Sequence, residues 1–123
     1  MLKLDLILFG GRGANFKLKK DTEAKNTNNA KIVIPAGTQF KNVIVIAGDD
    51  RKRKIDEVDG LVKNYGGKKK NWSKRVASAT INGKKAEVHY YQNKKDKIGR
   101  VKYKIKRWLK WQLKYINQKK TLI

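Results

Sequence analysis

The sequence predicts an α+β domain: a small antiparallel sheet with one helix packed against it, preceded by an N-terminal apolar arm. Three observations carry this expectation. Between Arg51 and Tyr65 the apolar residues Ile55, Val58, Leu61, Val62 and Tyr65 recur at helical spacing. Beyond Lys70, three segments alternate with period two, as half-buried strands do. The first two of these are joined by Asn82-Gly83, the strongest short-range hairpin signal because both residues accept the positive φ of a tight turn.

Composition bounds the rest. A chain of 123 residues builds one domain with a modest core. It has no cysteine, which excludes disulfides and thiolate metal sites, and a single histidine among ten scattered acids argues against a zinc or iron site, so no metal and no cofactor are expected. The formal charge of +22 repels itself and is tolerated where an anionic partner is near, nucleic acid first among them. From Leu61 to Ile123 the imbalance is extreme: twenty Lys and Arg stand against Glu87 and Asp96 alone.

Residues 1–30 read as an arm and linker, and 31–123 as one basic domain. Met1 to Phe9 is apolar but short and interrupted by Lys3 and Asp5, too little to span a bilayer, so no membrane partner is expected. The segment suits docking on another protein surface. Gly10, Gly11 and Gly13 make a joint, and the polar stretch Lys19 to Asn29 extends it as a linker. Ile32–Ile34 and Phe40–Ile46, rich in β-branched residues, read as short strands around Pro35-Ala-Gly37. The helix follows over 51–65, with Asp49 or Asp50 as cap and Gly66-Gly67 as stop. Strands are expected over 75–81, 84–92 and 100–107. Trp108 to Ile116 fits a helix or an extended arm equally.

Register locates a candidate site. A two-residue turn at Asn82-Gly83 pairs Ala79 with Ala86 and Ala77 with Val88 on one face, the core, together with Val101, Tyr103 and Ile105. The other face then carries Ser78 opposite Glu87, Val76 opposite His89 and Lys74 opposite Tyr91, flanked by Lys102, Lys104 and Lys106. An imidazole two residues from a carboxylate shares its side of the strand, and lysines around the pair supply what phosphate chemistry needs.

Val43-Ile-Val-Ile-Ala-Gly48, Tyr65-Gly66, Trp72-Ser-Lys74, Ala86-Glu-Val-His-Tyr-Tyr-Gln92 and Gly99-Arg-Val-Lys-Tyr-Lys-Ile-Lys-Arg-Trp108 follow one another in an order that resembles phage-associated nuclease-like toxin domains of the barnase, EndoU, colicin and RelE class of ribonucleases. The resemblance covers about residues 38 to 108. It implies a metal-independent endoribonuclease that cleaves by attack of the RNA 2′-hydroxyl, with Glu87, His89, Lys74, Lys104 and Arg107 as catalytic candidates. Nucleic-acid contacts would come from Trp72, Tyr91, Lys102, Lys106 and the Lys68-Lys69-Lys70 run. Tyr90 stands where the motif carries Trp. The opening residues resemble those of small proteins encoded near phage head genes, which implies a phage head protein as partner through residues 1–9. An immunity protein is a second implied partner, and the bacterial cytoplasm or the virion the place of action. The competing expectation is a phage protein that binds nucleic acid without cleaving it, either head-associated or an inhibitor of a host nucleic-acid machine.

Overall fold

The computed structural model describes residues 14–48 and 53–108. The proposed docking arm at 1–9, the glycine joint, the Asp49 and Asp50 caps and the tail beyond Trp108 lie outside the described residues. Among the described residues, seven strands form one sheet: β1 (Phe16–Lys17), β2 (Thr22–Lys25), β3 (Lys31–Ile34), β4 (Gln39–Gly48), β5 (Ser73–Ile81), β6 (Lys84–Asn93) and β7 (Gly99–Trp108). Among the described residues one α-helix, α1 (Val58–Tyr65), lies between β4 and β5, followed by a 3-10 turn at Lys69–Asn71. The α+β class therefore holds, with a sheet larger than expected and mixed, because β2 runs parallel to β7 while the other pairs are antiparallel.

The spatial order β1-β4-β5-β6-β7-β2-β3 has a geometric consequence. β3 forms one edge of the sheet and β4 stands next to the other, inside the two-residue β1, yet the two are joined through the short turn Pro35–Thr38. Leu18, just after β1, bonds across that turn to Thr38 and Gly37. The ends can meet only if the sheet curls. Its concave side encloses one apolar core in which Phe40 of β4 meets Tyr103 of β7 at 5.9 Å between ring centroids, although β5 and β6 separate those strands. Tyr90 stacks on Tyr103 and meets Phe40 edge-on, while Val88, Ala86, Ile81, Ile34 and Ile105 complete the packing at almost zero exposure. Edge and stacked aromatic pairs of this kind add roughly 0.5–1.5 kcal/mol each beyond their buried area.

The β5–β6 register is the one predicted, from Ser78↔Glu87 and Ala79↔Ala86 to Lys74↔Tyr91, and Asn82 and Gly83 take the positive φ angles the tight turn requires (52° and 81°). Two expectations are corrected. Lys19–Asn29 is no linker: Leu18 and Ala24 are buried, β2 pairs with β3 and β7, and the intervening turn is tied by Asn26, whose side-chain oxygen accepts from the backbone of Asn28 and Ala30. One apolar residue among Thr22-Glu-Ala-Lys25 is too weak a pattern to announce a strand.

The helix is also shorter than 51–65. It starts at Val58, with Arg53–Lys54 non-helical before it. Four cations from Arg51 to Lys54 would oppose the positive end of a helix beginning there, whereas Asp59 in the first turn and Lys63 in the last favour the observed span. The short helix buries Leu61, which joins Ile55, Ala47, Trp72 and Tyr91 in a second apolar cluster, on the convex face of the sheet. Gly48 permits this closeness. At φ 76° it passes under Trp72, and a Cβ there would lie 2.3 Å from the Trp72 carbonyl oxygen.

Candidate nucleic-acid interface

Strand β7 shapes the site through two irregularities. Against β6, the pairing runs Glu87↔Arg107, then Val88↔Ile105 and His89↔Lys104, then Tyr91↔Val101. Lys106 is thus an extra residue in one β-bulge, and Lys102 and Tyr103 together face Tyr90 in the other. Such bulges bend a strand and re-aim its side chains. Lys102 carries the cost, with a φ of 55° that non-glycine residues rarely adopt. The second bulge also moves Val101: instead of entering the core with Tyr103 and Ile105, as strict alternation requires, it packs beside Tyr91 in the outer cluster.

The result is a cavity of about 460 Å³ on the convex face. Lys74 on β5, His89 and Tyr91 on β6, Lys102, Lys104 and Lys106 on β7 and Lys25 on β2 line it, with Glu57 just before helix α1, Tyr65 at its last residue and Asn29 at the β2–β3 turn. Five lysines against Glu23 and Glu57 make it strongly electropositive.

His89 is held from behind. Its Nε2 lies 3.0 Å from Oε2 of Glu87, whose other oxygen lies 3.6 Å from Nη2 of Arg107. An ionised carboxylate accepts, so Nε2 carries the proton and Nδ1 bears the free lone pair; Nδ1 is buried without a partner. Burial is the largest influence on the imidazole and holds its pKa below the ordinary value of 6.5; Glu87 opposes by hydrogen bond and charge, and Lys74 and Lys106 add to the lowering. The ring is therefore neutral at pH 7.

Tyr91 is buried at the floor, with the ammonium groups of Lys74 and Lys102 at 5.8 and 5.9 Å from its ring centroid. Burial, followed by the neighbouring Glu57 charge, raises its phenol to about 12. Glu57 in turn accepts a hydrogen bond from Lys102 Nζ at 3.1 Å, which holds its carboxyl below the usual range.

Of the predicted catalytic residues, Lys74, His89 and Lys104 converge on the cavity. Glu87 and Arg107 stand behind the imidazole and do not line it, and Arg107 is largely exposed. Among the predicted nucleic-acid contacts, Tyr91, Lys102 and Lys106 are present. Trp72 is a correction. It is fully buried, its indole N–H donates to the Gly66 carbonyl, and it serves the outer core. Its large apolar area decides this, since no exposed position recovers the burial energy. Lys68, Lys69 and Lys70 lie away from the cavity in the short turn before β5, where Lys69 pairs with Asp59. Lys25, Asn29, Glu57 and Tyr65 were not foreseen. The first two come from the segment that resembled a linker, and Glu57 and Tyr65 from a helix whose face sequence spacing assigned to the core or to solvent.

Among the described residues, no group of three or more His, Asp or Glu side chains could hold a metal ion, and no helix is long and apolar enough to cross a membrane. Comparison of the chain with protein-family models, curated proteins and solved structures finds no match.

Proposed function

We propose that this chain is a metal-independent endoribonuclease whose site is the lysine-lined cavity around His89. The observation that carries the reading is one cavity wall that holds a neutral, carboxylate-oriented imidazole among Lys74, Lys104 and Lys106. An imidazole that is unprotonated at neutral pH is a competent general base, and the lysines neutralise a phosphate and the added charge of a phosphorane. His89 takes the proton of the 2′-hydroxyl as the 2′-oxygen bonds to phosphorus. The bond from phosphorus to the 5′-oxygen breaks, and a lysine ammonium group gives that oxygen its proton. The products are a 2′,3′-cyclic phosphate and a 5′-hydroxyl. Glu87, outside the cavity and bonded to Nε2, acts as a positioning residue, with Arg107 steadying it in turn. Lys102 comes free to bind phosphate when it exchanges its Glu57 partner for the substrate.

One observation favours a second reading, a protein that binds nucleic acid without turnover. Nε2 is engaged and Nδ1 buried, so a base role requires the ring to turn toward the cavity when substrate enters. Cleavage separates the two. Purified protein with excess chelator should convert mixed RNA to fragments ending in cyclic phosphate, and His89→Ala should lower the rate by about 10²-fold or more, the usual weight of a general base, while leaving low-salt binding within a few-fold. Tight RNA binding by the wild-type protein with no chelator-resistant cleavage overturns the ribonuclease reading in favour of the binder.

A further inference from the structure

The cavity crosses four neighbouring strands in the order β5, β6, β7, β2, from Lys74 to Lys25, and helix α1 flanks it, with Glu57 before its first residue bonded to Lys102 of β7 and Tyr65 at its last residue against Trp72, just ahead of β5. Three inter-strand spacings of about 4.8 Å make it about 14 Å long. That shape is a trough across the strands rather than a point-like anion hole, and its two ends differ chemically. At the β2 end stands Asn29 in its tied turn. Toward β5 stands Tyr65, the last residue of α1, against Trp72 just ahead of that strand.

Three tyrosines line the trough, and their surroundings separate them. Tyr91 and Tyr103 are buried, at 7% and 8% exposure, and the ring of Tyr91 already has an ammonium group near it from each of Lys74 and Lys102. Tyr65 alone of the three offers an open ring, with 42% exposure. Its position is also fixed. The ring rests against Trp72 at 6.1 Å between centroids, and Trp72 is itself fully buried and bonded to the Gly66 carbonyl next to Tyr65. A flat, open aromatic ring held in place beside a row of lysines pairs a base-stacking surface with a phosphate track, the combination that single-stranded nucleic acid requires.

We infer that the trough selects single-stranded RNA, and that Tyr65 is the residue on which an unpaired base next to the lysine-bound phosphate stacks. A base inside a duplex is already stacked on both faces and offers no surface to such a ring. The assignment rests on the nucleic-acid reading of the cavity and adds to it a substrate class and a specificity-determining residue.

Binding of a fluorescent 2′-O-methyl RNA hexamer, which cannot undergo 2′-oxygen attack, tests this without dependence on turnover. The comparison probes are the same hexamer with abasic positions and a blunt RNA duplex, bound to the full chain at low salt. Tyr65→Ala should weaken the base-bearing hexamer by about tenfold or more, the usual weight of one stacked base, with Tyr65→Phe within about twofold of wild type. The abasic strand should bind all variants alike, and the duplex should bind wild type more weakly than the hexamer. Tyr65→Leu keeps an apolar contact for Trp72 without a flat ring; it should behave as the alanine variant does, and it replaces that variant if the latter fails to fold. Equal losses for base-bearing and abasic strands, no loss for either, or a duplex bound as tightly as the hexamer overturns the inference. Wild-type protein that binds none of the probes overturns both this inference and the proposed function. The expected binding pattern without cleavage of unmodified RNA overturns the ribonuclease reading alone.

Discussion

His89 is the one histidine of the chain, so its titration can be followed as a single imidazole resonance. Burial outweighs Glu87 at this ring, and the midpoint should lie below 6.5. Glu87→Gln removes the group that raises the pKa and should lower the midpoint further; Lys74→Met removes a cation that lowers it and should move it up. A midpoint above 6.5 in the wild-type protein, or an upward shift in Glu87→Gln, would contradict the geometry. The same displacement has a consequence for stability. Between the folded midpoint and 6.5 the unfolded chain binds more protons than the folded one, so stability rises with pH across that window. The His89 contribution is therefore complete above 6.5 and is lost as pH falls toward the folded midpoint. Denaturant midpoints measured on the wild type and on His89→Gln through that range should differ in slope accordingly.

At the scale of the element, β7 shows how far a strand pattern can be read. Alternation correctly sent Tyr103 and Ile105 inward and the lysines outward, and the Asn82-Gly83 turn fixed the neighbouring register residue by residue. The two bulges left no such mark, because any residue of Arg100-Val-Lys-Tyr-Lys-Ile-Lys-Arg107 can be the extra one as far as polarity goes. A bulge is decided by curvature, and curvature by the whole sheet. Hence Lys102 and Lys106 were assigned to the correct face by a rule that does not account for their positions, while Val101 was misassigned by the same rule. The strained backbone of Lys102 gives a direct check. Lys102→Gly and Lys102→Ala both lose the Glu57 contact, but glycine relieves the positive φ and alanine does not. The glycine variant should be the more stable by about 1 kcal/mol in urea unfolding, the cost of a left-handed residue with a Cβ. Both should bind RNA more weakly than wild type. Equal stabilities would mean that the bulge relaxes in solution.

At the scale of the molecule, much of the net charge of +22 lies outside the cavity, and salt dependence separates the cations that work from those that merely accompany them. Each phosphate contact to a single strand contributes a slope of about 0.7 in the logarithmic plot of affinity against salt. Lys104→Ala and Lys106→Ala should each reduce the slope by about that amount, whereas Lys69→Ala, at a lysine paired with Asp59 away from the cavity, should leave it unchanged. A uniform decrease for all three would show a diffuse field in place of a site. Composition led to the expectation of a polyanion partner, but the sequence did not show the curl of the sheet, since the contacts that produce it join residues far apart in the chain. The parallel pairing of β2 with β7, Lys25 to Lys104, is the strand pairing of longest reach. Pairings of such long reach form late, after the loop they close has been ordered. On a ribosome, therefore, the N-terminal wall of the trough waits for its partner until β7 has left the exit tunnel, with Lys102, Lys104 and Lys106 arriving on that same strand. Under the proposed activity, the messenger and the ribosome that make this chain are exposed to a finished catalytic surface only after β7 has emerged and paired with β2.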